Sequence, residues 1–250
     1  MVAVELGALL LCRIASFLAI SPVFSQRGFP NLAKIVVGGS LVIAAYPAVG
    51  DFKEISSLLL FGVIALKEIL FGLAMGYLSQ LVFSGVMMAG EMIDFQVGFS
   101  MAQAYDTTME VAASQFGKLY YWLTLAVFFM LNLHHQLILG LMESFKIVPL
   151  GTAVLKGTTV EGVVELFEKT VVMALSLAAP LVIAVLIIDI VLGVISRSIP
   201  QINILMLSLS IKTAVAILLF LLVLPNLLDF LANNIAGGIA NILDFVKASR

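Results

Sequence analysis

Six apolar stretches, at about 3–24, 33–50, 55–87, 117–142, 168–195 and 202–231, fill most of this 250-residue chain, and charges interrupt several of them. A helix needs about 20 mostly apolar residues to cross a bilayer. Residues 69–90 and 119–142 meet that length without a Lys, Arg, Asp or Glu, whereas Ala33–Val49 is marginal. With 62% hydrophobic residues, 11% charged and a mean hydropathy of +1.17, the chain is too apolar for a water-soluble domain of this size. The fold class that follows is an all-α membrane protein. About six apolar helical segments are expected, several of them broken or re-entrant.

The interrupting charges carry the next inference. Arg13, the pair Lys67-Glu68, Asp189 and Lys212 all lie inside or at the edge of apolar stretches. A charge at the bilayer centre costs about 3 kcal/mol on insertion scales. These side chains are therefore expected to meet water or polar partners, within this chain or in other subunits, and Arg197 with them. Snorkelling to the interface would suffice for Lys67 and for Arg13. Pro180 falls inside the fifth stretch, where a kink or break is expected.

Other features exclude function classes. Net charge is −2, with no basic block that would suit nucleic acid. The single Cys12 rules out an intrachain disulfide framework and a multi-cysteine metal site. His134 and His135 are adjacent, so on a helix they point about 100° apart and share a metal poorly. No phosphate-cradling G-x-x-x-x-G-K-[ST] loop is present, and no nucleophile sits in a catalytic motif. No enzymatic activity, cofactor or metal is expected. The N-terminal run has no basic n-region and no small-residue cleavage site, which reads as an uncleaved first helix. Residues 1–250 form one membrane domain, without a long linker or an internal repeat.

Residues 88–116, MAGEMIDFQVGFSMAQAYDTTMEVAASQF, are too polar for a lipid-facing span and too apolar for an ordinary solvated loop. Met88, Met92, Phe95 and Phe99 follow a 4-3-4 spacing, one helical stripe. Glu91 and Asp94 lie three apart on an adjacent face. Gly98 interrupts the helix, and no period is visible from Ser100 to Ala113. One reading is an interfacial helix followed by a loop. The other is a re-entrant element in a protein-lined cavity, the one setting that tolerates non-helical backbone at membrane depth. There, soft residues such as Met101, Tyr105 and Met109 can close a pore and re-pack around a passing chain.

At this segment the chain resembles the FliR/SctT export-gate proteins of bacterial type III secretion. The matching residues are Gly90-Glu91, Phe95-Gln96, Gly98 and Asp106. Further likenesses are Arg13, Pro22, Phe24 and Pro30 near the N-terminus, Val148-Pro149-Leu150-Gly151, and Leu192–Lys212 with Arg197, Pro200 and Gln201. Thr107 stands where the family has proline after the aspartate, and Phe95 where it usually has leucine. Both departures bear on the shape of the loop.

The resemblance implies a non-enzymatic subunit of the flagellar basal body export apparatus, in the bacterial inner membrane. It implies one copy of this chain with about five FliP-like and about four FliQ-like subunits, about 5:4:1. These would form a right-handed helical hetero-oligomer. FlhB-like and FlhA-like export components and unfolded export substrates are the further partners implied. A loop at about 99–113 would plug the pore, with Met101, Ala102, Gln103, Ala104 and Tyr105 as the plug. Gly98, Asp106 and Met109 would be its hinge and support. The Gly72-x-x-x-Gly76 pair would allow close helix approach within the assembly. Alternatives are the equivalent gate subunit of a virulence injectisome, or a small-molecule or ion transporter using Glu91, Asp94, Asp189 and Lys212 as a relay. Transporters often carry internal repeats, and none is visible here.

The sequence supports one prediction directly. Gly98 lacks a Cβ and can take φ > 0 where the chain leaves the Met88–Phe99 helix. Gly98→Val should reduce motility and export of filament protein. Normal export at normal subunit levels would contradict a backbone requirement there.

Overall fold

A computed structural model of the chain describes residues 2–26, 28–49, 55, 57–99, 114–153, 157–198 and 204–249. These residues form seven α-helices: α1 (Val2–Ile20), α2 (Asn31–Ala45), α3 (Leu58–Val97), α4 (Gln115–Met130), α5 (Leu133–Ile147), α6 (Gly157–Ser198) and α7 (Ile204–Ala248). A single 3-10 turn, Tyr46–Ala48, follows α2, and Pro47 suits its first positions. There is no strand among the described residues.

Among the described residues, four helices are long and apolar enough to cross a membrane, and five spans result if α4 and α5 are one bent span. The fourth apolar stretch, continuous in sequence, is thus two helices. They part at Asn132, whose φ of 54° is the one positive value outside glycine among the described residues. Asparagine enters the left-handed region more readily than branched residues, so it can supply the bend. Helix α6 runs through Pro180 unbroken. Proline removes one N–H donor, and a 42-residue helix keeps the rest of its ladder. Helix α7 likewise contains Pro225 and continues to Ala248, well past the expected end near residue 231.

The chain forms two compact units. The first comprises residues 1–82, 128–168 and 235–250. On α1, Leu6, Leu9, Leu10, Ile14 and Phe17 are buried, a stripe at helical spacing. Phe71, Met75 and Leu78 of α3 and Leu133, Leu137, Leu141 and Phe145 of α5 are also buried. So are Ile235, Ile239, Ile242 and Val246 in the last turns of α7. Phe71 stacks on Phe245 with ring centroids 5.8 Å apart. The Gly72-x-x-x-Gly76 pair is used within the chain. A Cβ at Gly72 would collide with the Arg13 carbonyl and Ser16, and one at Gly76 would lie 2.9 Å from the Phe17 carbonyl oxygen. Small residues here bring the α1 and α3 backbones into contact.

Arg13 is the polar centre of this unit. Its side chain and that of Glu68 are completely buried, and Nε donates to Glu68 Oε2 at 2.5 Å. Its Nη1 donates to the carbonyl oxygens of Ser144 at 3.2 Å and Val148 at 3.1 Å, and to Ser144 Oγ at 3.3 Å. Nη2 also reaches the Val148 carbonyl at 3.2 Å. The guanidinium carbon lies 4.8 Å from the Phe71 ring centre and 4.6 Å from that of Phe145. Glu68 Oε1 accepts from the Gly151 amide at 2.7 Å, where the backbone turns with φ 79°. Arg13 therefore does not snorkel. Its carbonyl partners include the open end of α5, where the last C=O groups of a helix lack intrahelical donors. Lys67, one residue from Glu68 and so on another face, is exposed.

Removing one partner of such a pair strands the other charge in the core, at about 3–5 kcal/mol. Arg13→Met and Glu68→Gln should each sharply lower the yield of folded subunit and its thermal midpoint in detergent. The double variant Arg13→Met/Glu68→Leu should be less destabilised than Arg13→Met alone. Wild-type stability for either single variant would show that the network does not hold the bundle.

Candidate functional site

The second unit, residues 83–127 and 169–234, holds the segment at 88–116 singled out in the sequence, with Asp189, Arg197 and Lys212. Its core includes Phe83, Val86, Ile93 and Val97 of α3 and Phe116 and Tyr120 of α4. Leu177, Leu181 and Val185 of α6 and Ala216 and Phe220 of α7 are buried with them. Gly90 is buried, and a Cβ there would strike the backbone of Phe116 and Gly117. Gly85 is similarly closed off by Thr170 and Met173 of α6. The glycine of the Gly90-Glu91 pair thus has a packing reason, since it lets α3 and α4 touch backbone to backbone.

The two carboxylates three apart on α3 have different environments. Asp94 is 3% exposed. It accepts a hydrogen bond from Ser114 Oγ and two from the Phe116 amide, at 3.2 Å to each carboxylate oxygen. Ser114 Oγ in turn accepts from the Gly117 amide at 2.7 Å. Ser114 and Asp94 together satisfy the open N–H groups at the start of α4, and the negative charge suits a helix N-terminus. Glu91 is exposed. It lines an apolar cleft of about 600 Å³ with Met88, Met92, Phe95 and Gln96 of α3 and Leu175, Ala178, Ala179, Val182 and Ile183 of α6. Most of the methionine–phenylalanine stripe therefore forms one wall of an open cleft, with Phe95 75% exposed.

Gln96 belongs to a second polar cluster at the end of α3. Its Nε2 donates to Asp189 Oδ2 at 3.1 Å. Lys212 Nζ lies 2.5 Å from Asp189 Oδ1 and 3.5 Å from the Gln96 carbonyl oxygen. A cation at the C-terminal turn of α3 answers both the free carbonyls and the negative end of the helix dipole. Helix α3 ends at Val97, and Gly98 follows with φ 100°, its amide donating to the Asp94 carbonyl at 3.1 Å. A side chain at Gly98 would meet Leu209 of α7 at 3.3 Å. Phe99 stacks on Phe116 with centroids 6.4 Å apart. Arg197 is exposed in the last turn of α6, where a cation is also favourable.

Gly90, Glu91, Phe95 and Gln96 are thus gathered on the last turns of α3, with Gly98 just after its end. Met101, Ala102, Gln103, Ala104, Tyr105, Asp106, Met109, Pro200 and Gln201 lie outside the described residues. Sequence reasoning missed three contacts. Arg13 pairs with Glu68, Asp189 with Lys212, and Asp94 caps α4. Ser114 followed by an apolar run was the legible signal for the cap. Among the described residues, no group of three or more His, Cys, Asp or Glu is placed to hold a metal.

The comparisons with known proteins agree across most of the chain. The family model described as "Bacterial export proteins, family 1" matches residues 4–237. The "Flagellar biosynthetic protein FliR" of Bacillus subtilis (strain 168) is 28% identical over 218 residues, covering 85% of this chain and 83% of that protein. The protein of the same name from Aquifex aeolicus (strain VF5) is 29% identical over 223 residues, 89% and 86% of the two chains. The "Yop proteins translocation protein T" of Yersinia pestis is 29% identical over 206 residues, 77% and 78%. With the family model spanning nearly its full length, this all-helical membrane chain belongs to the bacterial export proteins, family 1.

Proposed function

We propose that this chain is the structural and gating subunit of the flagellar type III export channel in the bacterial inner membrane, within the basal body. The observation that carries the reading is the family match over residues 4–237, together with relatives named for flagellar biosynthesis at 28–29% identity over most of both chains. In this reading one copy joins about five FliP-like and about four FliQ-like subunits, with FlhB-like and FlhA-like components alongside. Its cargo is unfolded export substrate. The role is structural, and energy comes from a partner ATPase or from the proton gradient.

The apolar surface supports an assembly role. Only 11% of the most apolar window of α7 and 22% of that of α3 are buried within the chain. Leu58, Leu59, Leu32 and Ile35 are 74–88% exposed. Apolar surface on this scale has to be covered by lipid or by partner subunits. Gate residues Met101, Ala102, Gln103, Ala104 and Tyr105, with Asp106 and Met109, form the resting plug. The described residues on either side of this segment are tied down: Asp94 holds the start of α4, and Gln96 joins the cluster at the end of α3. A second reading, the equivalent subunit of a virulence injectisome, is favoured by the match to the Yersinia protein.

Deleting Met101–Tyr105 tests the plug, since soft apolar side chains exclude water without fixing one shape. The deletion should leave the complex assembled and raise conductance or small-solute uptake in cells expressing it without the remaining export machinery. An assembled deletion variant with a membrane as tight as wild type would remove the plug assignment.

A further inference from the structure

The apolar cleft of about 600 Å³ in the second unit has two walls of matched spacing. Met88, Glu91, Met92, Phe95 and Gln96 of α3 fall at positions i, i+3, i+4, i+7 and i+8. Leu175, Ala178, Ala179, Val182 and Ile183 of α6 repeat the same pattern. Each set is one stripe of a helix, about two turns or ~12 Å long. Two such stripes side by side form a groove of the kind that receives a third helix. Its rims stand uncovered within the chain, with Phe95 75%, Ile183 56% and Leu175 50% exposed. The alanines of the α6 wall leave room for close backbone approach.

Glu91 is the one charged residue on these walls. The α6 wall facing it lies in a run of 19 residues, Thr170 to Ile188, without Lys, Arg, Asp or Glu. That run is about 28 Å of helix, close to the thickness of a bilayer core. An ionised carboxylate is costly there unless a cation or hydrogen-bond donors meet it. Among the described residues Glu91 has no hydrogen-bond or ion-pair partner, in contrast to Asp94 one turn away. The cations of this unit are Lys118, Lys169, Arg197 and Lys212, and Lys212 is engaged by Asp189. Residues 100–113, between α3 and α4, contain no Lys or Arg. The complement of Glu91 therefore has to come from outside the chain.

We propose that the α3–α6 groove seats about two turns of an apolar helix from another gate subunit, and that this helix brings one Lys or Arg to Glu91. The inference rests on the gate reading above and adds the docking surface and the chemistry of its occupant. Covering the apolar rims supplies the attraction. The single ion pair fixes where along the groove the incoming helix stops, as an isolated polar contact does in other helix pairings. Met88 and Met92 are unbranched and adapt to the side chains that enter.

The test uses this chain co-expressed with the other gate subunits. Benzoylphenylalanine placed at Leu175 or Ile183 should photo-cross-link to one apolar helix of another subunit, and the linked peptide should carry a Lys or Arg. Glu91→Arg should lower recovery of that subunit with this chain at least about tenfold. Glutamate in place of the identified cation should restore it. Glu91→Arg should leave the thermal midpoint of the chain alone in detergent unchanged, because no partner within the chain is lost. Cross-links only to phospholipid or to a second copy of this chain would overturn the groove and leave the gate reading standing. So would undiminished recovery of the partner subunit with Glu91→Arg. Failure of the wild-type chain to recover any gate subunit would overturn both. Where Glu91→Arg lowers the midpoint of the chain itself, the cross-links made with Glu91 intact decide, and a linked helix without Lys or Arg overturns the proposal.

Discussion

The buried pair of Arg13 and Glu68 is the constraint on which the first half of the architecture depends. Residues 55 positions apart are joined at a point without solvent, and the remaining donors of Arg13 are used on the end of α5. A charge in such a place is tolerable only if all of its hydrogen-bonding capacity is met. That requirement fixes α1, α3, α5 and the turn at Gly151 in one register. The glycines at 72 and 76 make it geometrically reachable, because only a close α1–α3 contact lets an arginine on one helix meet a glutamate on the other. Apolar stripes alone would leave sliding and rotation open, since many registers bury similar area.

The second unit uses the same chemistry. Asp94 caps α4, and Asp189, Lys212 and Gln96 gather at the end of α3. Around these sit an open apolar cleft and helices with long exposed apolar faces. Each unit has its own polar ties: the wholly buried Arg13–Glu68 network in the first, and the buried Asp94 cap with the partly exposed Asp189–Lys212 pair in the second. An account based on lipid-spanning helices alone explains neither the buried Arg13–Glu68 pair nor the Asp189–Lys212 pair.

Much of this was legible in the sequence because apolar composition and helical periodicity are local properties. All six stretches correspond to helices, and Gly98 stands where α3 ends. The errors have physical causes. The stretch ending near residue 231 continues to Ala248, because polar Asn233, Asn234, Asp244 and Lys247 lowered the local hydropathy. Leu231, Ile235, Ile239, Ile242 and Val246 meanwhile kept a buried stripe at helical spacing. The bend at Asn132 depends on one residue taking a left-handed conformation within an apolar run, which hydropathy does not register. Of the kink or break expected at Pro180, the break does not occur, since one lost donor is a small fraction of a long helix. The pairing of Arg13 with Glu68 and of Asp189 with Lys212 depends on tertiary register, which spacing along one helix does not encode.

The central claim is that this chain functions as one subunit of a larger export gate, with partners covering the apolar faces it leaves open. Co-expression with FliP-like and FliQ-like membrane proteins from the same source, followed by affinity purification through this chain and native mass spectrometry, tests it most directly. The account predicts a single complex containing one copy of this chain with about five and about four copies of the others, and a poor yield of the chain expressed alone. A well-behaved monomer or small homo-oligomer that captures neither partner would contradict it.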